Sequence, residues 1–183
     1  MSNNLTPPNN LLQEIRQLIE SAKQRAAEAI NTEITQLYWQ IGKSIQTEIL
    51  QNQRAEYGKQ VIATLSQQLT QAYGKGWSER QLRHCIHFAQ TFPNEQIVST
   101  LRRPLTWTHI KTLMYIDDPL KREFYIEIAQ LEHWSVRQLQ ERIQSLLYER
   151  TSISKKPEET IRNDLKALRQ ERRISPDLAF RDP

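Results

Sequence analysis

One cysteine, Cys85, stands in 183 residues. A lone thiol excludes an internal disulfide and any paired-cysteine zinc module, and it suits a reducing compartment. Glycine is almost as scarce, with four in the chain, so there is no glycine-rich phosphate loop. No run approaches the ~20 apolar residues that a membrane-spanning helix needs. The N-terminus, Met1 to Pro8, has no charged segment leading into an apolar one, which is the pattern of a secretory leader. The expected location is therefore the cytoplasm. Catalytic signatures are missing as well: no Gly-x-Ser-x-Gly, no His-Glu-x-x-His and no Glu-x-Lys. The one Asp-x-Lys, Asp164-Leu165-Lys166, falls in a predicted helix with no strand near it.

What the chain does contain is helix-forming residues and one phrase written twice. Gln, Glu, Leu, Ile and Arg dominate, and the clear apolar periodicities are helical, which predicts an all-α chain. Trp-Ser-x-Arg-Gln-Leu-x-x-x-Ile runs from Trp77 to Ile86 and again from Trp134 to Ile143. Ser78 and Ser135 stand where an N-cap accepts a free backbone N–H, and Gln81 and Gln138 where a capping box closes. Trp77 with Leu82, and Trp134 with Leu139, have the spacing of a hydrophobic staple. Leu105-Thr106-Trp107-Thr108 is another predicted helix start, but without the Gln of a capping box.

Two apolar stripes lie ahead of the repeat. Leu11, Leu12, Ile15, Leu18, Ile19, Ala22 and Ala26 form one; Ile34, Leu37, Tyr38, Ile41, Ile45 and Ile49 form the other. Asn31-Thr32 separates them, and a hairpin and one long helix both fit. A third helix spans about 56–73, and Gly74-Lys75-Gly76 then breaks the chain before the first repeat copy. The first copy's helix ends near Thr91, and a short connection leads to helices after Trp107, after Asp118-Pro119 and from the second copy, whose apolar positions are Leu139, Ile143, Leu146 and Leu147. Thr151 to Pro157 has linker composition, and a mostly polar helix is expected over 158–172 with Ile161, Leu165 and Leu168 as a thin stripe.

Charge is unevenly placed. Residues 59–111 hold seven basic groups (Lys59, Lys75, Arg80, Arg83, Arg102, Arg103, Lys111) and two acidic ones (Glu79, Glu95), whereas 112–149 hold four and seven. Helix, glycine turn and capped helix from Glu56 to Thr91 outline a helix-turn-helix-like unit, in which the second helix meets DNA. On that helix Leu82, Cys85, Ile86 and Ala89 have core spacing, while Arg80, Arg83, His84 and His87 form one basic stripe. Arginine suits guanine edges and phosphates, and Lys75 beside the free N–H groups of the helix start suits a phosphate. The equivalent residues of the second copy are Arg137, Gln140, Glu141 and Gln144, so that face is not basic. An ordinary solvated face with Arg80 balanced by Glu79 is the alternative. A metal held by His84, His87 and either His109 or His133 would lack the four convergent ligands of a structural site. Cys85 on the core face reads as a small buried hydrophobe rather than a nucleophile. Trp39, Trp77, Trp107 and Trp134 read as core and staple residues rather than base-stacking platforms.

Several phrases together resemble the N-terminal domain of the YhcG family. They are Leu37-Tyr38-Trp39-Gln40-Ile41-Gly42-Lys43, Tyr57-Gly58-Lys59, Gly76-Trp77-Ser78-Glu79-Arg80-Gln81-Leu82, Leu105-Thr106-Trp107-Thr108-His109, Asp118-Pro119 with Phe124-Tyr125, and Trp134-Ser135-Val136-Arg137-Gln138-Leu139. The resemblance implies a bacterial protein with a helical DNA-binding domain, followed in the family by a nuclease-like domain of the PD-(D/E)xK superfamily. Ile174 to Pro183 resembles the passage between the two, which implies that the nuclease domain is absent from these residues.

The resulting expectation is an all-α, multi-helix, non-catalytic DNA-binding domain of a YhcG-like nuclease system. Residues 1–8 would be disordered, 9–150 the helical domain, and 151–183 a linker with a polar helix. Lys75, Arg80, Arg83, His84 and His87 would meet DNA. Trp77, Ser78, Gln81, Leu82, Trp134, Ser135, Gln138 and Leu139 would be caps and staples. No metal or cofactor is expected. The alternative function is an interaction module whose 158–172 helix docks a separately encoded nuclease subunit or a second copy of the chain.

Overall fold

A computed structural model of the protein describes residues 9–52, 55–101 and 105–155, together with Asn163 and Leu165. Among these residues there are eight helices and no strand, as the apolar periodicity predicts. They are α1 (Asn9–Asn52), α2 (Ala55–Tyr73), α3 (Glu79–Thr91), α4 (Glu95–Leu101), α5 (Trp107–Leu113), α6 (Pro119–Leu131), α7 (Val136–Gln144) and α8 (Leu147–Lys155). No helix among the described residues is long and apolar enough to cross a membrane.

The two N-terminal stripes belong to one 44-residue helix. Asn31 does not interrupt it. Its side-chain amide instead donates to the Leu105 carbonyl at 2.7 Å, so α1 is tied to the residue just ahead of α5. The C-terminal half of α1 packs along α3, its main partner in the fold. At this crossing Gly42 leaves no room for a side chain: a Cβ there would lie 2.0 Å from the Cys85 carbonyl oxygen. Backbones this close are the reason for glycine in a helix interior, where it otherwise costs about 1 kcal/mol against alanine. Nearby, the Trp39 indole N–H donates to the Phe92 carbonyl at 2.7 Å, fixing the far end of α3.

Two apolar clusters result. The larger one gathers Trp39, Phe88, Leu105, Ile110, Phe124, Tyr125, Trp134, Leu139 and their neighbours from α3 to α8. The smaller one, Ile45, Ile62 and Leu82 with Leu65, Leu69 and Trp77 around it, seats α2. Gly74 (φ +83°) and Gly76 (φ +128°) turn the chain from α2 into α3. The helix-turn-helix outline is therefore present in connectivity, but α3 is held chiefly by α1 rather than by α2.

Three sequence expectations are corrected. Residues 94–101 contain a short helix, α4, where only a connection was expected. The helix opened by Trp134-Ser135 does not run on through Leu147. Leu146 adopts a left-handed conformation (φ +55°) and is 52% exposed, so it breaks the helix and leaves the core stripe. Thr151 to Lys155 are helical rather than linker; the Thr151 hydroxyl donates back to the Leu147 carbonyl at 2.8 Å, a bond that lets threonine sit inside a helix. Of the predicted 158–172 helix only Asn163 and Leu165 are described, and Leu165 is buried in the larger cluster. The expected disordered start, residues 1–8, and most of the C-terminal segment lie outside the described residues.

His109 joins two helix starts. Its Nδ1 accepts the Thr106 backbone N–H at 3.1 Å, taking the place that glutamine fills in a capping box. That leaves the proton on Nε2, which donates to the Trp134 carbonyl at 2.9 Å. The third helix start, expected to lack a return cap, has one made by an imidazole. Burial pushes the His109 pKa below the ordinary histidine value, against the Trp134 hydrogen bond, which raises it.

Two outcomes are expected from these contacts. Gly42→Ala forces α1 and α3 apart and lowers stability by roughly 3 kcal/mol in urea unfolding, whereas Gly74→Ala, with open space around it, loses about 1 kcal/mol through its positive φ alone. Because the folded-state pKa of His109 lies below its unfolded value, its contribution is complete above about pH 6.5 and is lost as pH falls. Unfolding curves at pH 7.5 and 5.5 should show a drop for the natural chain and a smaller drop for His109→Gln.

Candidate nucleic-acid interface

The first repeat copy builds α3. Ser78 is the N-cap, its hydroxyl oxygen accepting the Gln81 N–H at 3.2 Å. The return half of the capping box is missing there. Gln81 points along the helix, and its amide donates to the Cys85 sulfur at 3.8 Å. The second copy closes its box fully. Ser135 accepts from the Gln138 backbone N–H at 3.3 Å, and the Ser135 N–H donates to Gln138 Oε1 at 2.8 Å. Leu82 and Leu139 are fully buried, and Trp134 is buried beside Leu139 in the larger cluster. Trp77 is half-buried over the smaller cluster and meets Tyr38 edge-on at 6.1 Å. Trp39 is buried and Trp107 packs between Tyr38 and Phe88. All four tryptophans thus serve the helical body.

The inner face of α3 is Leu82, Cys85, Phe88 and Ala89. Burial pushes the Cys85 thiol up to about 12, so it stays protonated and unreactive. Ile86, expected with the core, is only half-buried at the edge of the smaller cluster.

On the outer face, Lys75, Arg80 and Arg83 are exposed. Arg83 pairs with Glu79 at 3.2 Å, both side chains about half exposed. It is Arg83, not Arg80, that the neighbouring carboxylate balances, as the i,i+4 spacing favours. An exposed pair of this kind is worth about 0–1 kcal/mol and yields readily to a phosphate. Among the described residues Arg80 and Lys75 have no carboxylate partner.

The histidines are half-buried because the end of α5 covers them. His84 Nδ1 lies 2.9 Å from the Tyr115 hydroxyl. His87 Nε2 donates to the Met114 carbonyl at 3.0 Å, and its ring stacks on Tyr115 at 4.7 Å between centroids. Burial, then the nearby Lys111, Arg80 and His87, lower the His84 pKa. The predicted stripe on one helix is thus a patch across two: Arg80, Arg83, His84 and His87 from α3, bordered by Lys111 and Tyr115 from α5 and its C-terminal turn. Sequence reasoning counted Lys111 only as part of a basic segment and did not find Tyr115, since periodicity along one helix says nothing about which other helix comes beside it.

His109 and His133 do not join this patch. His109 is held between Thr106 and Trp134, and His133 is exposed in the α6–α7 turn with φ +53°. Among the described residues no group of three His, Cys, Asp or Glu side chains is placed to hold a metal ion. The corresponding face of α7 carries Arg137, paired with Glu141 at 2.9 Å, between Gln140 and Gln144.

Capped helices packed on one long helix define, among the described residues, an all-helical domain with a cationic patch on α3. The chain belongs to the DUF1016 N-terminal domain family, which matches residues 14–150. It is also similar to Putative nuclease YhcG of Escherichia coli (strain K12), with 29% identity over 196 residues covering 91% of this chain and 52% of that protein. The chain thus spans about half the length of the curated relative it matches, and no catalytic domain is identified in it. No solved structure matches the chain.

The staples have an expected ranking. Trp134→Ala should cost about 3–5 kcal/mol in chemical unfolding, as for a buried aromatic. Trp77→Ala, from the smaller half-exposed cluster, should cost less and leave the helical circular-dichroism spectrum intact. The reverse order would mean that the smaller cluster carries the fold.

Proposed function

We propose that the chain is the DNA-binding, non-catalytic domain of a YhcG-like nuclease system, and that the α3–α5 patch is its contact surface. The observation that carries this reading is the grouping of Arg80, Arg83, His84, His87 and Lys111, with Glu79 the one carboxylate paired to them among the described residues. Like charges gathered this way repel one another unless a polyanion neutralises them; beside the larger effect of burial, Lys111 and Arg80 also lower the proton affinity of His84. Arginine forks fit phosphate oxygens and guanine edges, and Lys75 in the turn extends the cationic surface toward the start of α3. Similarity to Putative nuclease YhcG supports nucleic acid as the polyanion. The fold's second use of the same helix start, on α7, supports the same division: shared cap and staple hold a helix, and only the first copy's outer face is cationic.

The interaction-module alternative has less support. Leu165, one of three apolar residues expected to form a docking stripe, is buried against this chain's own core.

Fluorescence anisotropy with a labelled duplex tests the reading. Binding should weaken steeply with salt, because each neutralised phosphate releases counterions. Arg80→Ala with Arg83→Ala should weaken it on the order of a hundredfold at fixed salt, at about 1–3 kcal/mol per contact, and flatten the salt dependence. Arg137→Ala should change it little. Equal losses from the two faces, or no duplex affinity at 50 mM salt, would sink the proposal.

A further inference from the structure

The N-terminal part of α1 is exposed along its length. Residues 10–27 are exposed throughout, although Leu11, Leu12, Ile15, Leu18 and Ile19 lie among them, 40% to 64% exposed. An isolated helix of this length is marginal in water, so its apolar side calls for a partner. The spacing of that side says what kind. Leu12, Ile15, Ile19, Ala22, Ala26 and Ala29 follow one another at intervals of three and four, the seven-residue repeat of a coiled-coil seam.

The seam is large at one end and small at the other. We infer that α1 pairs antiparallel with α1 of a second copy of this chain, about a two-fold axis between residues 20 and 21. In that register Leu12 meets the partner's Ala29, Ile15 meets the partner's Ala26, and Ile19 meets the partner's Ala22. Every large residue then faces a small one, the interdigitation that fills a seam without voids, and the contact is self-complementary as two-fold symmetry demands. A parallel pair would instead set three alanine layers against themselves and leave them empty. Leu18 falls beside the aliphatic stem of the partner's Arg25.

The arm's net charge does not oppose this association, although Arg16 of each copy lies near the partner's Lys23, whose charge is offset by Glu20. Residues 10–30 carry Arg16, Lys23 and Arg25 against Glu14, Glu20 and Glu28, and Lys23 already pairs with Glu20 at 2.9 Å within the helix. The arm is thus electrically neutral, unlike the α3–α5 patch. The geometry also keeps the bodies clear of each other. Asn31 is tied to the body, and in this register the two copies of that residue lie roughly 30 Å apart along the pair, at 1.5 Å per residue. Only the seam and its flanking positions, about four residues in every seven of the arm, would face the partner, which makes this a small interface whose strength depends on the fit of its layers.

Sedimentation equilibrium of the full chain across micromolar concentrations tests the pairing, with thermal unfolding of each variant as a folding control. The natural chain should be a dimer. Ile15→Ala and Ala26→Ile, each alone, should raise the dissociation constant at least about tenfold. Combined in one chain they restore a large-against-small pair at the same layer and should recover most of the affinity. Ile19→Glu should give a monomer that unfolds at a similar temperature. A chain that is monomeric at every concentration overturns the inference, as does a dimer indifferent to Ile19→Glu. A dimer broken by both single changes and not rescued by the pair overturns the antiparallel register. None of these readings depends on DNA binding.

Discussion

The fold rests on one close approach. At Gly42 the backbones of α1 and α3 are so near that a single methyl group would collide with the Cys85 carbonyl. That contact fixes depth as well as position. It seats α3 in α1, and it buries Leu82, Cys85, Phe88 and Ala89 while leaving Arg80 and Arg83 in solvent. α2 then leans on the pair through the small Ile45–Ile62–Leu82 cluster, and α5 comes against the other flank. Protein interiors are close-packed and yield little, so the cationic face inherits its placement from a glycine on a different helix.

The electrostatics follow from that packing. Tyr115 is carried on the turn after α5 to a point where it touches both His84 and His87, and Lys111 arrives on the same helix. Each histidine is thereby fixed in orientation, and burial beside cations keeps His84 more easily deprotonated than a free imidazole. The arginines are placed differently, on the open side of α3, one paired loosely with Glu79 and the other without a carboxylate among the described residues. The patch thus combines a rigid imidazole–phenol rim with two adaptable guanidinium groups.

The helical class, both Ser caps, the inward placement of Leu82, Cys85 and Ala89 and the exposure of Arg80 and Arg83 could be read from periods and caps alone, whereas Phe88 took the inward place expected of Ile86. These are local features, decided within one or two turns of chain. The membership indicated by Trp39-Gln40-Ile41-Gly42 and its companion phrases was legible for the same reason: several short motifs in order. What the sequence left open was decided at longer range. Whether Asn31 ends a helix depended on the Leu105 carbonyl 74 residues away. Whether Leu146 belongs to the core depended on a left-handed residue that no periodicity announces. Gln81 and Gln138 stand in identical local phrases, yet only one closes its box, because Cys85 offers Gln81 another contact. Tyr115 joins the patch only through the meeting of two helices.

The imidazole of His109 is bonded on both sides, to the nitrogen that starts α5 and to the carbonyl just before α7. A flexible side chain in that place would let the two starts drift; an aromatic ring cannot change its width. The ring therefore acts as a spacer of fixed gauge between two helix ends, and α5, which carries Lys111 in its last turn and Tyr115 just past its end, is set at a fixed distance from the second half of the domain. The edge of the cationic face is in this sense calibrated by a residue that takes no part in it.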